Sequence, residues 1–284
     1  MKKGVIKYFL FFLFLIILVI VLLFINKISV KSPDIYGNLI DTNLESVGSA
    51  IQPQISSQFQ VNFSSYIGGS YDDPVRDVVQ DSQGNIYITG GTKGSGFPTT
   101  SGGYDTSFNG VMDTFIAKIT TQGQLAWSTL VGGPEYERAY SIERDAQGNL
   151  FFTGRGGNSS PTTAGVFNRQ FYGGAFAGYG PQDCYMGKIS PDGKTLLWAA
   201  YFGGPGHDFC RDSSIDAQGN IYLHTWFDGI NKYDASNVYA PQLMSKFLNS
   251  PNGGSEAVVL KVSGDGSQLL WGRFIGGSGN EAGE

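Results

Sequence analysis

The feature that most constrains this chain is a sequence unit that occurs three times and begins a fourth time. Each copy opens on an aromatic residue, which a Gly-Gly pair follows five positions later; the pairs lie 64, 71 and 73 residues apart. The opening residues are Phe63, Trp127, Trp198 and Trp271. A unit that recurs at nearly fixed spacing does not bury its apolar face alone, so each copy must pack on its neighbours.

Two further signals recur in every unit. An acid follows each Gly-Gly pair by four residues, and three of the units continue with an apolar stretch and a turn of the form D-x-Q-G-N. The acids are Asp73, Glu137, Asp208 and Glu281, and the turns lie at residues 81–85, 145–149 and 216–220. Gly and Asn at such positions accept positive φ, which is typical of tight hairpins.

Apolar residues between these turns alternate with period two, which indicates β-strands. In the first unit the alternation predicts strands at residues 75–81, 85–92, 113–120 and 124–131. No segment after Lys31 has a helical period, and the chain has 41 Gly and 14% aromatic residues. The predicted fold class is therefore all-β. Four antiparallel strands joined by hairpins form one blade of a β-propeller, so about three blades are present.

Several motifs in a fixed order resemble the bacterial β-propeller repeat family abbreviated SBBP, and more distantly the NHL repeats. They are the W-x-x-x-x-G-G opening, D-x-Q-G-N-[IL]-[YF], the Phe97-Pro98-Thr99-Thr100 run and Asp113-x-Phe115-x-x-Lys118-Ile119. The resemblance covers residues 60–284. It implies a propeller architecture and a secreted or surface location, and it leaves the role of the protein open.

The units do not suffice to close a ring. Residues 59–68 are predicted to form an outermost strand without a blade of its own, and the fourth unit stops soon after its acid. Known propellers have at least four blades. The favoured interpretation is a truncated sequence that continues for several units. The alternative is an open arc, which would expose an apolar blade face.

The N-terminus predicts export. Residues 8–25 are 18 consecutive apolar or aromatic residues, about 27 Å of helix, close to the thickness of a bilayer core. The segment 1–31 is interpreted as an uncleaved transmembrane signal anchor with an extracytoplasmic ectodomain; a cleaved signal, giving a secreted protein, is the alternative. Residues 32–58 are a predicted polar stalk, and residues 59–284 hold the repeats.

Charge limits the partners. The net charge is −5, and the five lysines of residues 1–31 leave −10 for the remainder. An acidic ectodomain argues against nucleic acid, because nothing neutralises phosphates. The expected partners are the membrane, through the N-terminal segment, and an extracellular protein or glycan.

The recurring acids are the candidate cation ligands. Asp73, Glu137, Asp208 and Glu281 would ring the mouth of a propeller channel, but one acid per blade is too sparse for the six to eight oxygens that Ca²⁺ prefers. The favoured interpretation is that each carboxylate accepts backbone N–H bonds, with no cofactor. A Ca²⁺ site is the alternative.

Long loops between the second and third strands are the candidate ligand-binding face. They span about residues 93–112, 155–182 and 227–255 and mix aromatics with Gly, Ser and Asn, as recognition surfaces do. The alternative is that they only cover strand ends. The candidate contact residues are Tyr104, Phe108, Phe171, Tyr172, Phe176, Tyr179, Tyr233 and Tyr239.

Catalytic patterns are sparse. His207, Asp208 and Cys210 are close in sequence, but Cys210 occupies the position of Val75 and Ala139, so it is interpreted as a buried apolar cysteine. A disulfide with Cys184 is the alternative. His224 is interpreted as structural. Three lysines that each follow an acid by five residues are expected at solvent edges: Lys118, Lys188 and Lys261.

These observations favour a membrane-anchored binding or adhesion scaffold at the cell surface over an enzyme. The alternatives are an extracellular glycan-active hydrolase or lyase with its site on the long-loop face, and a structural surface-layer component. A blade-specific cluster of acids, His or Arg would indicate an enzyme, whereas aromatics would indicate a binder.

Overall fold

The computed structural model describes residues 61, 63–176, 178–227, 243, 245–249 and 256–277. The predicted anchor and stalk, residues 1–58, lie outside the described residues. Among the described residues, no helix is long and apolar enough to cross a membrane. The bounded elements of the described part are thirteen β-strands, so the predicted all-β class is confirmed.

Three consecutive antiparallel sheets account for all but one of the strands. Each contains four strands in chain order, and each strand pairs antiparallel with the next strand of its own sheet. Sheet 1 contains β1 (Val75–Gln80), β2 (Ile86–Thr92), β3 (Asp113–Ile119) and β4 (Leu125–Val131); sheet 2 contains β5 (Arg138–Arg144), β6 (Leu150–Gly156), β8 (Gly180–Ile189) and β9 (Leu196–Phe202); sheet 3 contains β10 (Asp208–Ile215), β11 (Ile221–Phe227), β12 (Glu256–Val262) and β13 (Leu269–Ile275).

The four strands predicted for the first unit agree with sheet 1 to within one residue at each end. Sheet 2 has an addition that the repeat pattern does not contain. The short strand β7 (Gly174–Phe176) pairs with residues 180–182 of β8, where β8 runs past the end of β6. The long second loop of sheet 2 therefore has structure of its own.

The hairpins between the first and second strands confirm the predicted turn chemistry. Gly84, Gly148 and Gly219 have φ values of 85°, 86° and 82°, a region that residues with a Cβ rarely adopt. Each glycine N–H donates to the carbonyl of the aspartate that begins its turn. The D-x-Q-G-N sequence therefore fixes the register of each hairpin.

The core lies largely between sheets, as the repeat predicts. At the junction of sheets 1 and 2, Tyr87, Ile116 and Val131 pack against a cluster that contains Ile142 and Leu150. A second cluster joins residues of sheets 2 and 3. Each unit therefore buries its apolar face against the next unit along the chain.

The two cysteines correct one interpretation. Cys184 on β8 and Cys210 on β10 form a disulfide across the junction of sheets 2 and 3, and both residues are fully buried. Burial of Cys210 was predicted, but the disulfide was only the alternative. Comparison of the repeated units did not favour the disulfide, because Cys184 and Cys210 occupy different strand positions and meet only when sheets 2 and 3 pack together.

The strand predicted at residues 59–68 is absent from its described part. Residues 63–68 form no strand; instead Ile67 packs against the core cluster of Ile88, Phe97 and Phe115. Ile67 thus packs on sheet 1, whereas Val61, Phe63 and Tyr66 are exposed.

Candidate functional site

The aspartates that open the hairpin turns are held by hydrogen bonds and by ion pairs with lysines of the same sheet. Asp145 accepts hydrogen bonds from the backbone and side-chain amides of Asn149, at 2.8 and 2.9 Å, and pairs with Lys188 at 2.9 Å. Burial opposes ionisation, but the bonds from Lys188 and Asn149 hold the pKa of Asp145 below its ordinary value. This carboxylate is committed to its turn.

The same pair recurs in the other two sheets. Lys118 lies 3.7 Å from Asp81, and Lys261 lies 3.0 Å from Asp216. The expectation that these lysines lie at solvent edges is wrong for Lys188, which is only 8% exposed. The reason is that the third strand of each sheet places its lysine against the turn of the same sheet. We call these three contacts the turn pairs.

The recurring acids after the Gly-Gly pairs also bind backbone. Glu137 is fully buried and accepts hydrogen bonds from the N–H of Gly133, the N–H of Gly157 and the hydroxyl of Ser160, at 2.8, 3.0 and 2.9 Å. Burial raises its pKa, against the effect of these bonds. Glu137 therefore joins two loops of sheet 2.

Asp73 and Asp208 make the equivalent bond, from the N–H of Gly69 at 2.6 Å and of Gly204 at 2.7 Å. The interpretation as backbone acceptors is confirmed for these residues, and Glu281 lies outside the described residues. In the part of the chain that the structure describes, no three His, Cys, Asp or Glu side chains form a group that could hold a metal ion. The Ca²⁺ alternative stays a prediction.

A second buried carboxyl lies beside two of these acids. Burial raises the pKa of Asp113 to about 7, and the nearby Glu137 adds to the rise. Burial likewise raises the pKa of Asp183, which hydrogen-bonds Asp208. Each junction thus holds a carboxyl that keeps its proton well above the usual range, within the protein interior rather than on an open surface.

The predicted aromatic face divides into two groups. Tyr104 and Tyr179 are exposed, whereas Phe108 and Phe171 pack against the core clusters and Tyr172 is half-buried. Phe176 lies in β7, and Tyr233 and Tyr239 lie outside the described residues. A ligand role for this set stays a prediction; of the described members, the two tyrosines have the exposure that such a role needs.

The two histidines lie in sheet 3. The ring of His207 contacts Phe209 in a tilted arrangement and Trp226 edge to face, with 5.2 Å between ring centroids in each case. His224 lies on β11, opposite Asp212 in the register, and burial lowers its pKa. Both are integrated into the packing of sheet 3.

A β-bulge recurs in the first strand of every sheet. In β1, β5 and β10 one residue lacks a cross-strand partner: Arg76, Tyr140 and Arg211, respectively. A bulge redirects the side chain of its extra residue. Here the three side chains converge, since the guanidinium carbons of Arg76 and Arg211 lie 5.9 and 5.0 Å from the ring centroid of Tyr140.

Two arginines of sheet 2 reach the same ring. Arg138 and Arg155 lie 5.5 and 5.7 Å from the centroid of Tyr140. Arg155 is only 5% exposed and also lies 4.5 and 4.4 Å from the ring centroids of Tyr136 and Tyr179. We call these seven residues the arginine cluster: Arg76, Arg138, Arg155, Arg211, Tyr136, Tyr140 and Tyr179.

A cavity of about 420 Å³ opens against the arginine cluster. Arg76, Arg138, Tyr136 and Tyr179 line one part of it. The segment before β1 contributes Asp72 and Asp73, and Lys93 lies on the same surface. Cavities of a few hundred Å³ are the usual size of small-ligand sites. This cavity therefore combines arginines, tyrosine rings and carboxylates on one surface.

Sequence reasoning missed the arginine cluster. One signal was available: Arg76, Tyr140 and Arg211 each lie three residues after the recurring acid of their unit. Arg155 occupies the position of Gly91 and Trp226 and is specific to sheet 2, so comparison of the repeats treats it as variation. Only the packing of the sheets brings these residues together.

Comparison with known proteins supports the repeat assignment. No curated protein matches the chain. Residues 62–98, which contain β1 and β2, match the family model of the SBBP beta-propeller repeat, so this segment carries the repeat that its motifs resemble.

Proposed function

We propose that the three sheets are consecutive blades of a β-propeller and that the protein is an exported, membrane-anchored scaffold that binds an extracellular ligand at the cell surface. The repeat match and the three four-stranded sheets support the architecture. The apolar segment 8–25 supports the anchor. The Cys184–Cys210 disulfide supports export, because disulfides persist in oxidising compartments.

The observation that carries the binding function is the cavity against the arginine cluster. Its lining residues come from two blades and a long loop, which is where propeller-like scaffolds leave room for a ligand. The carboxyls of Asp113 and Asp183, whose pKa values burial raises, are fully buried, and each accepts a backbone N–H bond. Their burial favours a binder over a hydrolase, whose acid and base must reach the substrate.

Two experiments test this proposal. A reporter that is active only outside the cytoplasm, fused after Ser57, should give a signal, and the full chain should sediment with membranes. Cells that display the chain should also adhere to at least one polymer of a panel of immobilised polyuronate, neutral glucan and fibrous protein. The control lacks residues 59–284.

Recovery of the full chain as a cytoplasmic protein would contradict the export. Adhesion equal to that of the control on every polymer would contradict the scaffold function.

A further inference from the structure

The arginine cluster concentrates positive charge in an acidic chain. Four guanidinium groups lie within 6 Å of the ring centroid of Tyr140. Like charges gathered around one ring repel each other, and a counter-charge offsets that repulsion. The repeat framework does not explain why four arginines gather around Tyr140.

The described residues do not supply that counter-charge. Every ion pair found among them has a lysine as its cation, and the arginines of the cluster form none. The Nε atoms of Arg138 and Arg155 are buried without a hydrogen-bond acceptor in the described part of the chain. A buried donor without an acceptor is costly and marks a place for a ligand atom.

The nearest carboxylates are engaged elsewhere. Asp77, which follows Arg76, accepts the N–H of Ile142 at 2.8 Å, and Asp212, which follows Arg211, accepts the N–H of Ser213 at 2.8 Å. At the cavity, Asp72 pairs with Lys93 at 2.9 Å. Asp73 accepts the N–H of Gly69 with one oxygen, and its other oxygen has no hydrogen-bond partner among the described residues. Because no described carboxylate forms an ion pair with an arginine of the cluster, we take the guanidinium groups to be available to an anion from outside.

The composition of the cavity restricts the anion. Arginine forks bind carboxylates with two parallel hydrogen bonds. Asp72 and Asp73 on the same surface would repel a doubly charged phosphate, but they can accept hydrogen bonds from hydroxyl groups. The ring of Tyr179, which is exposed, offers apolar area at the cavity. One carboxylate, several hydroxyls and an apolar C–H face are the features of a uronic acid.

We propose that the arginine cluster and its cavity bind the carboxylate of an acidic sugar, so that the ligand of the scaffold is a uronate-containing polysaccharide. This inference rests on the proposed binding function. The carboxylate contacts the guanidinium groups of Arg76 and Arg138, which line the cavity. Arg155 and Arg211, which lie within 6 Å of the ring centroid of Tyr140, add positive charge next to it. An acidic peptide shares the carboxylate but lacks the ring and its hydroxyls.

The test is a titration of the full chain with oligogalacturonate, followed by calorimetry. Binding is expected, and the double substitution Arg76→Gln with Arg138→Gln should weaken it by at least about tenfold. Arg76→Lys keeps the charge but not the fork, so it should weaken binding by a smaller factor. Arg273→Gln, an exposed arginine on β13, is the matched control and should change nothing. Neutral oligosaccharides of equal length should not bind.

Several outcomes would overturn the inference. These are no binding of oligogalacturonate by the unmodified chain, unchanged affinity in both Arg variants, or tighter binding of polyglutamate than of the sugar. Adhesion to a neutral polymer that the Arg substitutions leave intact would overturn the uronate site while the scaffold function stands. If the double variant does not fold, the Arg76→Lys titration decides alone.

Discussion

The turn pairs and the arginine cluster arrange charge in opposite ways. In each turn pair a lysine lies within 3.7 Å of an aspartate, and the pair recurs at the same place in every sheet. In the arginine cluster four cations surround Tyr140 without a carboxylate partner among the described residues. The paired charges stabilise the fold, whereas we propose that the arginines, which come from three sheets and have no carboxylate partner among the described residues, serve a ligand.

The bulges show how one framework carries both arrangements. Each first strand has the same irregularity, so the backbone repeats, yet its extra residue is Arg76, Tyr140 or Arg211. The backbone pairs above and below the bulge hold that residue in place. We therefore expect that a substitution of the bulged residue changes the surface and leaves the strand pairing unchanged.

The largest expected effect tests the turn pairs. Asp145→Ala removes the only carboxylate that pairs with Lys188 among the described residues, and it removes the acceptor of Asn149. The Nζ of Lys188 then keeps the carbonyl of Gly264 at 3.0 Å. The free energy of unfolding should therefore fall by about 3 kcal/mol. Chemical denaturation of the full chain measures it. Asp216→Ala, at the more exposed pair of sheet 3, should cause a smaller loss.

Equal losses in the two variants would show that burial does not set the strength of the pairs. A loss below about 1 kcal/mol for Asp145→Ala would contradict the contrast between the turn pairs and the arginine cluster, because the turn pairs would then not stabilise the fold.

The second prediction contrasts two buried carboxyls through pH. Asp113 has a pKa of about 7 in the folded protein, against 3.8 as its ordinary value, so the folded state retains a proton that the unfolded state releases. Its contribution to stability therefore falls as pH rises from about 4 to about 7, by up to about 1.4 kcal/mol per unit. Asp145, whose pKa is lowered, contributes stability that is lost as pH falls below about 4.

Unfolding midpoints measured between pH 4 and pH 7 for the unmodified chain and for Asp113→Asn check this. The substitution should flatten the decline, since asparagine does not titrate. Identical slopes in the two proteins would contradict the raised pKa of Asp113.

The strands and turns were predictable from sequence because each unit repeats the same pattern of residues. Strand limits in sheet 1, the positive φ of Gly84 and the burial of Cys210 all follow from comparison of equivalent positions. The disulfide was not predictable in this way, since Cys184 and Cys210 are equivalent to different positions of the unit and meet only across a junction.

The arginine cluster was beyond the same method for a physical reason. Comparison of units detects what they share, but Arg138 and Arg155 have no counterpart in the other sheets. Their convergence on Tyr140 depends on the packing of β1, β5 and β10, which place residues from three sheets side by side. Sequence differences between repeats, rather than their agreement, were the signal for this site.

The most direct test of the central claim is the free energy of unfolding of the Arg76→Gln, Arg211→Gln double variant at low ionic strength without ligand. If the arginines serve a ligand, removal of two like charges should leave the stability within about 0.5 kcal/mol of the unmodified value or raise it. A loss of more than about 1.5 kcal/mol in a variant that still folds would show that these arginines stabilise the fold as the turn pairs do, and would contradict the account.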